Sequence, residues 1–264
     1  MFPLRDDQPR TLIPFVNWSI IALNIAVFIY EVHQGVGLPA SDTGVDNYQA
    51  QMAFFNQHGL VPQHFQLAFT GGSEYTMAGV FGTIFTAMFM HASPLHLIGN
   101  MWFLWIFGNK VEDHFGHLVY PMFYLLCGVI ASLTHIYANP DSTIPALGAS
   151  GAIAGVMGGY LLRYTQAKVQ VFWWFFYRPY VFWISAAWML AYWFALQLIS
   201  QAWSQWMAAK LHHEVGGVAY WAHIGGFFSG MVLIKLIPGR TKYAHGGWID
   251  KTGKELLPKE TGKI

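Results

Sequence analysis

Six apolar runs, each long enough to be considered as a membrane span, follow one another along the chain. A transmembrane helix needs roughly 17 to 25 predominantly apolar residues. The runs cover about 13–34, 94–107 with a further turn, 118–138, 148–164, 181–203 and 217–237. No internal repeat and no separate soluble domain interrupt them. The pattern predicts an all-α polytopic membrane protein with six transmembrane helices in one bundle.

The polar segments between and around these runs divide the chain further. Residues 1–12 are assigned to an N-terminal tail, 13–237 to the six-span domain and 238–264 to a polar C-terminal tail. A long loop of about 35–80 joins the first and second runs. Residues 35–79 contain no Lys or Arg but are rich in Phe, Gln and His. We expect this loop to lie partly in the membrane interface.

Composition agrees with a membrane environment. Charged residues make up 10% of the chain, apolar types 55% and aromatic types 17%, whereas soluble domains carry roughly a quarter charged residues. The net charge of +1 argues against a nucleic-acid partner. The single cysteine, Cys127, excludes an internal disulfide.

The positions of Lys and Arg predict the orientation, since cytoplasmic loops retain these residues. With the N-terminus inside, all 14 Lys and Arg residues except Lys210 fall on the inner side. Both termini are therefore predicted to be cytoplasmic, and we expect the membrane to be a bacterial plasma (inner) membrane.

In this orientation the second, fourth and sixth runs enter from the outer face, and each brings polar residues there. The second begins "HASPLHLIGN", with His96 and Asn100 four residues apart on one helix face. The fourth helix begins at Ser150, and His223 lies about six residues into the sixth run. At 1.5 Å per residue, these groups should lie within roughly 10 Å of the outer boundary.

Each of these residues also has a purely structural interpretation. Ser150 could be a packing residue or helix cap, Asn100 an interhelical hydrogen-bonding group and His96 an interfacial polar group. His223 is harder to explain in this way, because an ionisable group inside a span is costly and usually functional. Together, a nucleophile, a base and two hydrogen-bond donors at one depth are the parts required for acyl transfer.

Small residues recur every four positions on the fourth and sixth runs. Such faces let two helix backbones approach closely, which a serine and a histidine need to reach hydrogen-bond distance. Their alternative role is only to hold the bundle together. The positions are Gly151, Gly155 and Gly159 on the fourth run, and Ala222, Gly226 and Gly230 on the sixth.

With these motifs in place, residues 13 to 237 resemble the rhomboid family of intramembrane serine proteases. The motifs are "GASG" at 148–151, "AHIGGFFSG" at 222–230, "HASPLHLIGN" at 91–100, and "GNKVEDHFG" at 108–116 with Gly108 and Glu112. The resemblance implies a catalytic dyad of Ser150 and His223 without an acidic third member. It also implies an oxyanion site formed by the Ser150 backbone N–H with His96 and Asn100. Structural support is expected from His91, Gly148, Gly151, Gly155, Gly226 and Gly230.

Two positions depart from the family pattern. Gly82 and Thr83 stand where many members carry a Trp-Arg pair, and Ala154 stands where an aromatic residue often supports the catalytic imidazole. The second departure leaves open what holds the His223 ring.

Other protease classes lack their required residues. The sequence "HHEVGG" at 212–217 does not supply the second histidine of a zinc-binding HExxH motif, and no span carries paired aspartates. The resemblance therefore implies a serine endopeptidase that needs no metal or cofactor and cleaves transmembrane protein substrates within the lipid bilayer. The alternative is a catalytically silent relative that binds or chaperones membrane clients, and the oligomeric state stays open.

Overall fold

Helices make up most of the structure, a computed structural model that describes residues 2–38, 45–71, 75–211, 218–244, 247–250 and 255–256. The helices in these residues are α1 (Phe15–His33), α2 (Val45–His58), α3 (Pro62–Phe69), α4 (Met77–Ala87), α5 (Pro94–Phe103), α6 (Asn109–Phe115), α7 (Val119–Ala138), α8 (Ser150–Arg163), α9 (Ala186–Leu211) and α10 (Tyr220–Leu236). The strands are β1 (Phe2–Asp6), β2 (Lys168–Phe175), β3 (Arg178–Ser185), β4 (Thr241–Ala244), β5 (Gly247–Asp250) and β6 (Glu255–Leu256).

Helix α5 begins where its sequence signals place it. The Ser93 hydroxyl accepts a hydrogen bond from the His96 backbone N–H at 3.3 Å, and Pro94 occupies the first turn, where its missing N–H has no consequence. The helical segment continues past 107, as the further predicted turn requires, but it does so through a π-helical turn, Leu104–Gly108, into α6, which ends at Phe115. The Asn17 side chain donates to the Leu104 carbonyl at 3.1 Å, which satisfies a backbone group in this irregular turn.

The all-α prediction is incomplete, because two small sheets accompany the helices. Strands β1, β2 and β3 form an antiparallel sheet in that order. Residues 181–185, which we predicted to begin the fifth span, lie in β3, and α9 starts only at Ala186. The aromatic and β-branched residues of 168–185 suit a strand pair as well as an apolar helix. Strand β2 also pairs with β1.

The described part of the C-terminal segment, which we assigned to a polar tail, contains strands. Strands β4, β5 and β6 form a second antiparallel sheet. The Arg240 backbone N–H donates to the His114 carbonyl at 2.7 Å, which fixes the start of this segment beside α6.

Two of the described helices, α1 and α7, are long and apolar enough to cross a membrane by length and composition alone. Helix α8 has 14 residues and is therefore about 21 Å long, shorter than the roughly 30 Å hydrocarbon core. Length and hydropathy thus do not establish the six spans, although a helix overlaps each of the six predicted runs.

The loop between the first and second runs contains helices and is tied to the segment that precedes α8. Leu60 and Ala146 form an isolated antiparallel bridge, with N–H···O distances of 3.0 and 2.8 Å. The Gln63 N–H donates to the Ser142 carbonyl at 3.0 Å. These bonds position the chain that leads into Ser150.

At the opposite end of the bundle, Glu112 binds the N-terminus of α1. Its carboxylate accepts from the Val16 and Asn17 backbone N–H groups at 3.2 and 2.7 Å, where an anion also complements the helix dipole. A Cβ on Gly108 would overlap the Asn17 side chain and lie 2.7 Å from the Tyr120 hydroxyl. The "GNKVEDHFG" segment therefore joins the first two membrane runs.

Asp6 of β1 forms a second contact at this end. Its carboxylate lies 3.5 Å from the Lys110 ammonium and accepts from the Tyr160 hydroxyl at 2.8 Å. Burial raises the pKa of Asp6 to about 6, although the Lys110 charge acts in the opposite direction. The N-terminal strand is thereby fixed to α6 and α8.

Helices α8 and α10 are in backbone contact through glycines. A Cβ on Gly226 would overlap the Gly151 carbonyl, and one on Gly230 would overlap the Gly155 carbonyl. The two small-residue faces therefore meet as predicted, with a stagger of one turn. A Cβ on Gly155 would overlap Cys127 and lie 3.1 Å from the Gly226 carbonyl oxygen, so this glycine also makes room for α7.

Candidate active site

Ser150 is the first residue of α8 and follows a glycine in an unusual conformation. Gly148 has φ of +124°, which residues with a side chain rarely adopt, and its N–H donates to the Ala87 carbonyl at 2.8 Å. This turn brings the Ser150 hydroxyl out at the N-terminus of the helix, where backbone N–H groups lack helical partners.

His223 of α10 lies directly opposite. Its Nε2 atom is 2.7 Å from the Ser150 Oγ, and the residue is only 7% exposed. An oxygen and an imidazole nitrogen at this distance share a hydrogen bond. The close approach of the α8 and α10 backbones permits it, because both side chains are short.

The other ring nitrogen of His223 has a partner that the sequence analysis missed. Its Nδ1 atom lies 2.7 Å from the Oε1 atom of Gln197 on α9. The Trp193 ring lies beside the imidazole, with ring centroids 5.8 Å apart, and Tyr220 contacts it edge-on at 6.3 Å. These residues support the ring in place of the aromatic side chain that Ala154 does not provide. The available signal was weak, because Gln197 is one of two glutamines, with Gln201, in the predicted fifth run.

His96 and Asn100 converge on Gly148, two residues before Ser150. A Cβ on Gly148 would lie 2.9 Å from the His96 Nε2 and 3.5 Å from the Asn100 Nδ2. The Asn100 Nδ2 is buried and has no hydrogen-bond partner among the described residues. A buried donor without a partner is unusual, and this one lies beside Gly148, two residues before the serine. The glycine leaves this space open.

His91 lies behind His96. Its ring packs edge-on against the His96 ring with centroids 5.1 Å apart, and its backbone N–H donates to the Glu31 carboxylate at 3.1 Å. Both His91 and Glu31 are fully buried. His91 thus packs against His96 just before the start of α5, while its backbone is bound to Glu31 of α1.

A cavity of about 690 Å³ reaches the serine. Helices α2, α5, α7, α8 and α9 all contribute to its walls. Its polar lining includes Gln51, His96, His135, Asn139, Ser150 and Gln201. Among the residues that the structure describes, no three His, Cys, Asp or Glu side chains are arranged to hold a metal ion.

Comparison with known proteins places the chain in a family. A family model described as the Rhomboid domain matches residues 78–240. The chain is 24% identical to RHOMBOID-like protein 4 of Arabidopsis thaliana over 249 residues, which cover 92% of this chain and 56% of that protein. It is 29% identical to the mitochondrial Rhomboid protein 1 of Saccharomyces cerevisiae over 154 residues, 57% of this chain and 40% of that protein.

A third relative, the chloroplastic Rhomboid-like protein 11 of Arabidopsis thaliana, is 41% identical over 71 residues, which cover 27% of this chain and 25% of that protein. The chain thus spans little more than half the length of these relatives at most. The Rhomboid domain nevertheless matches more than half of the chain itself. The protein therefore belongs to the rhomboid family, whose members are embedded in membranes.

Proposed function

We propose that this protein is an intramembrane serine endopeptidase that hydrolyses peptide bonds in or near the transmembrane segments of other membrane proteins. The observation that carries the proposal is the 2.7 Å contact between the Ser150 Oγ and the His223 Nε2, next to a polar cavity. A hydroxyl becomes a useful nucleophile when a base within hydrogen-bond reach takes its proton.

In the first half of the reaction, His223 accepts the Ser150 proton as Oγ attacks the substrate carbonyl carbon. The negative charge that develops on the carbonyl oxygen is stabilised by the Ser150 backbone N–H, Asn100 Nδ2 and His96. The Asn100 Nδ2, which has no hydrogen-bond partner in the described part of the chain, supports this role. His223 then donates the proton to the leaving amine, and an acyl-enzyme ester stays on Ser150.

In the second half, water attacks the ester. His223 takes a proton from the water and returns it to Ser150 as the acid product leaves. The cavity of about 690 Å³ supports this step, since its polar lining favours water near Ser150. A substrate helix must unwind locally to expose its carbonyl group, which small or helix-breaking residues make easier.

The membrane placement belongs to the same proposal. In this arrangement six spans cross the membrane, both termini lie on the cytoplasmic side and the dyad lies near the outer face. It explains why the second, fourth and sixth runs each begin with polar residues. Outward-facing apolar side chains on the long helices support contact with lipid. Examples are Ile25, Ile29, Met122, Leu126, Phe228 and Val232, each more than two fifths exposed.

The type of membrane is a separate matter. We expected a bacterial plasma membrane, but the relatives that carry a location in their names are mitochondrial or chloroplastic. The comparisons thus give the bacterial assignment no support.

Fluorophosphonate labelling of the purified protein tests the activity without a known substrate. An activated serine should react, and the Ser150→Ala protein should not. Leu23→Ala, on the outward face of α1, controls for the effects of substitution and purification, and it should be labelled to the same extent as the wild type. Absence of labelling in folded wild-type protein would favour the alternative, a silent relative that binds membrane clients.

A further inference from the structure

The contact between Gln197 and His223 joins α9 to the proposed dyad. Both ring nitrogens of His223 are engaged: Nε2 with the Ser150 Oγ at 2.7 Å and Nδ1 with the Gln197 Oε1 at 2.7 Å. No carboxylate is hydrogen-bonded to this ring among the residues that the structure describes. An uncharged amide therefore occupies the position that an acidic residue holds in a Ser-His-Asp triad.

The orientation of the Gln197 amide follows from its other hydrogen bond. Its Nε2 group donates to the Trp193 carbonyl, one turn earlier on α9, at 3.3 Å. A carbonyl oxygen cannot donate, so the NH₂ end of the amide belongs on that side. The Oε1 end then faces His223. An amide oxygen only accepts, and Nδ1 must carry the hydrogen of the neutral imidazole.

This assignment fixes the chemistry at the opposite ring nitrogen. A neutral imidazole with hydrogen on Nδ1 has a lone pair on Nε2. That lone pair is directed at the Ser150 hydroxyl, as a general base requires. The other tautomer would carry hydrogen on Nε2 and could not accept the serine proton.

We infer that Gln197 is a positioning residue that holds His223 in the Nδ1–H tautomer and in the ring orientation that faces Ser150. The inference rests on the proposed function for its catalytic meaning, but the tautomer itself can be measured without activity. Because the amide is neutral, it orients the imidazole without adding a full negative charge beside it.

The first experiment measures the tautomer directly. The full-length protein, labelled with ¹⁵N-histidine, is studied in detergent micelles by NMR, and the His223 signals are identified by their absence in His223→Ala. We expect hydrogen on Nδ1 in the wild type. In Gln197→Met, which keeps the side-chain length but has no amide acceptor, the Nε2–H tautomer should become populated. A wild-type ring with hydrogen on Nε2 overturns the inference, whether or not the protein is a protease.

The second experiment measures rates of fluorophosphonate labelling and substrate cleavage. Gln197→Met should slow both by roughly 10- to 100-fold, part of the 10²- to 10⁴-fold contribution of a positioned base. Leu198→Met places the same side chain on the outward face of α9, where Leu198 is 46% exposed, and should keep the wild-type rate. Equal rates in Gln197→Met and wild type would contradict the positioning role.

The conservative variant Gln197→Glu tests whether residue 197 acts through its hydrogen bond to His223 or only through the volume that its side chain fills. It keeps an acceptor oxygen and should restore the rate above neutral pH. Its carboxylate should also stabilise the protonated imidazole, so the acid limb of the pH–rate profile should move to higher pH. The titratable groups near His223 are His96 on α5, His135 on α7 and Tyr220 on α10 itself, and all three are present in both the wild type and Gln197→Glu.

A Gln197→Glu profile identical to that of the wild type would contradict direct contact with the ring. If Gln197→Met does not fold, the wild-type tautomer and the Gln197→Glu profile still decide the inference. If the wild type neither labels nor cleaves, the proposed function fails, and the NMR measurement alone judges the role of Gln197.

Discussion

The Nε2 atom of His223 lies 2.7 Å from the Oγ atom of Ser150, although 73 positions separate the two residues. The contact requires the backbones of α8 and α10 to lie close together. They are so close next to the dyad that a Cβ on Gly226 would overlap the Gly151 carbonyl. Chemistry and packing are therefore coupled at this site, and substitutions can separate their contributions.

The dyad predicts loss of cleavage when either member is removed. Ser150→Ala lacks the nucleophile and His223→Ala lacks the base, so each should abolish cleavage of a single-span test substrate reconstituted with the protein. Circular dichroism and thermal unfolding in detergent should show that both variants still fold. Substantial residual cleavage by either variant would remove that residue from its proposed role.

Asn100 is expected to act on the transition state. Its Nδ2 is buried and has no partner among the described residues, so Asn100→Ala should lower turnover by roughly 10²-fold or more with little loss of stability. Ile98→Ala, on the exposed side of the same helix, should keep near wild-type turnover. If Asn100→Ala changed only the thermal stability, its role would be structural.

The glycine contacts predict a steep effect of substitutions that add no reactive group. Gly155→Leu and Gly226→Leu should both displace neighbouring helices, and even Gly226→Ala places a methyl against backbone. A misplacement of about 1 Å can lower the rate by roughly 10²-fold, so cleavage and labelling should both fall. Gly82→Leu is the matched control, because among the described residues a Cβ at that helical position has no neighbour within 4 Å apart from its own stretch of helix. Near wild-type rates in folded Gly155→Leu and Gly226→Leu would contradict this role.

Asp6 predicts a pH-dependent stability. Its pKa rises from an ordinary value of 3.8 to about 6 in the folded protein, chiefly because it is buried. The folded state therefore holds the proton more tightly than the unfolded state, and the stabilisation present below about pH 4 is lost as the pH rises to about 6. A shift of this size corresponds to roughly 3 kcal/mol.

Asp6→Asn does not titrate and can still accept the Tyr160 hydrogen bond. Relative to wild type, its free energy of unfolding should increase between pH 4 and pH 7 by up to that amount. Unfolding by denaturant in detergent at the two pH values measures the difference. A wild-type-to-variant difference that is independent of pH would show that Asp6 does not titrate in this range.

Much of the helical framework could be read from the sequence because its signals are local. Ser93 and Pro94 mark the first residue of α5. The apolar runs predict the ends of α1 and α7 to within about two residues. The candidate residues Ser150, His223, His96 and Asn100 were also identifiable, because polar groups stand out in apolar segments and their motifs are short. Their proposed roles stay predictions until the variants are measured.

Other features depend on contacts between distant parts of the chain. The apolar residues 168–185 satisfy helix and strand patterns alike, and pairing with β1, more than 160 positions away, favours the sheet. Gln197 is one of several glutamines in its helix, and only the placement of α9 beside α10 brings its amide to His223. The sequence by itself determined which segments are apolar and which residues could react. The tertiary structure decided which of them meet, because a hydrogen bond requires about 3 Å and local patterns carry no information about distances between helices.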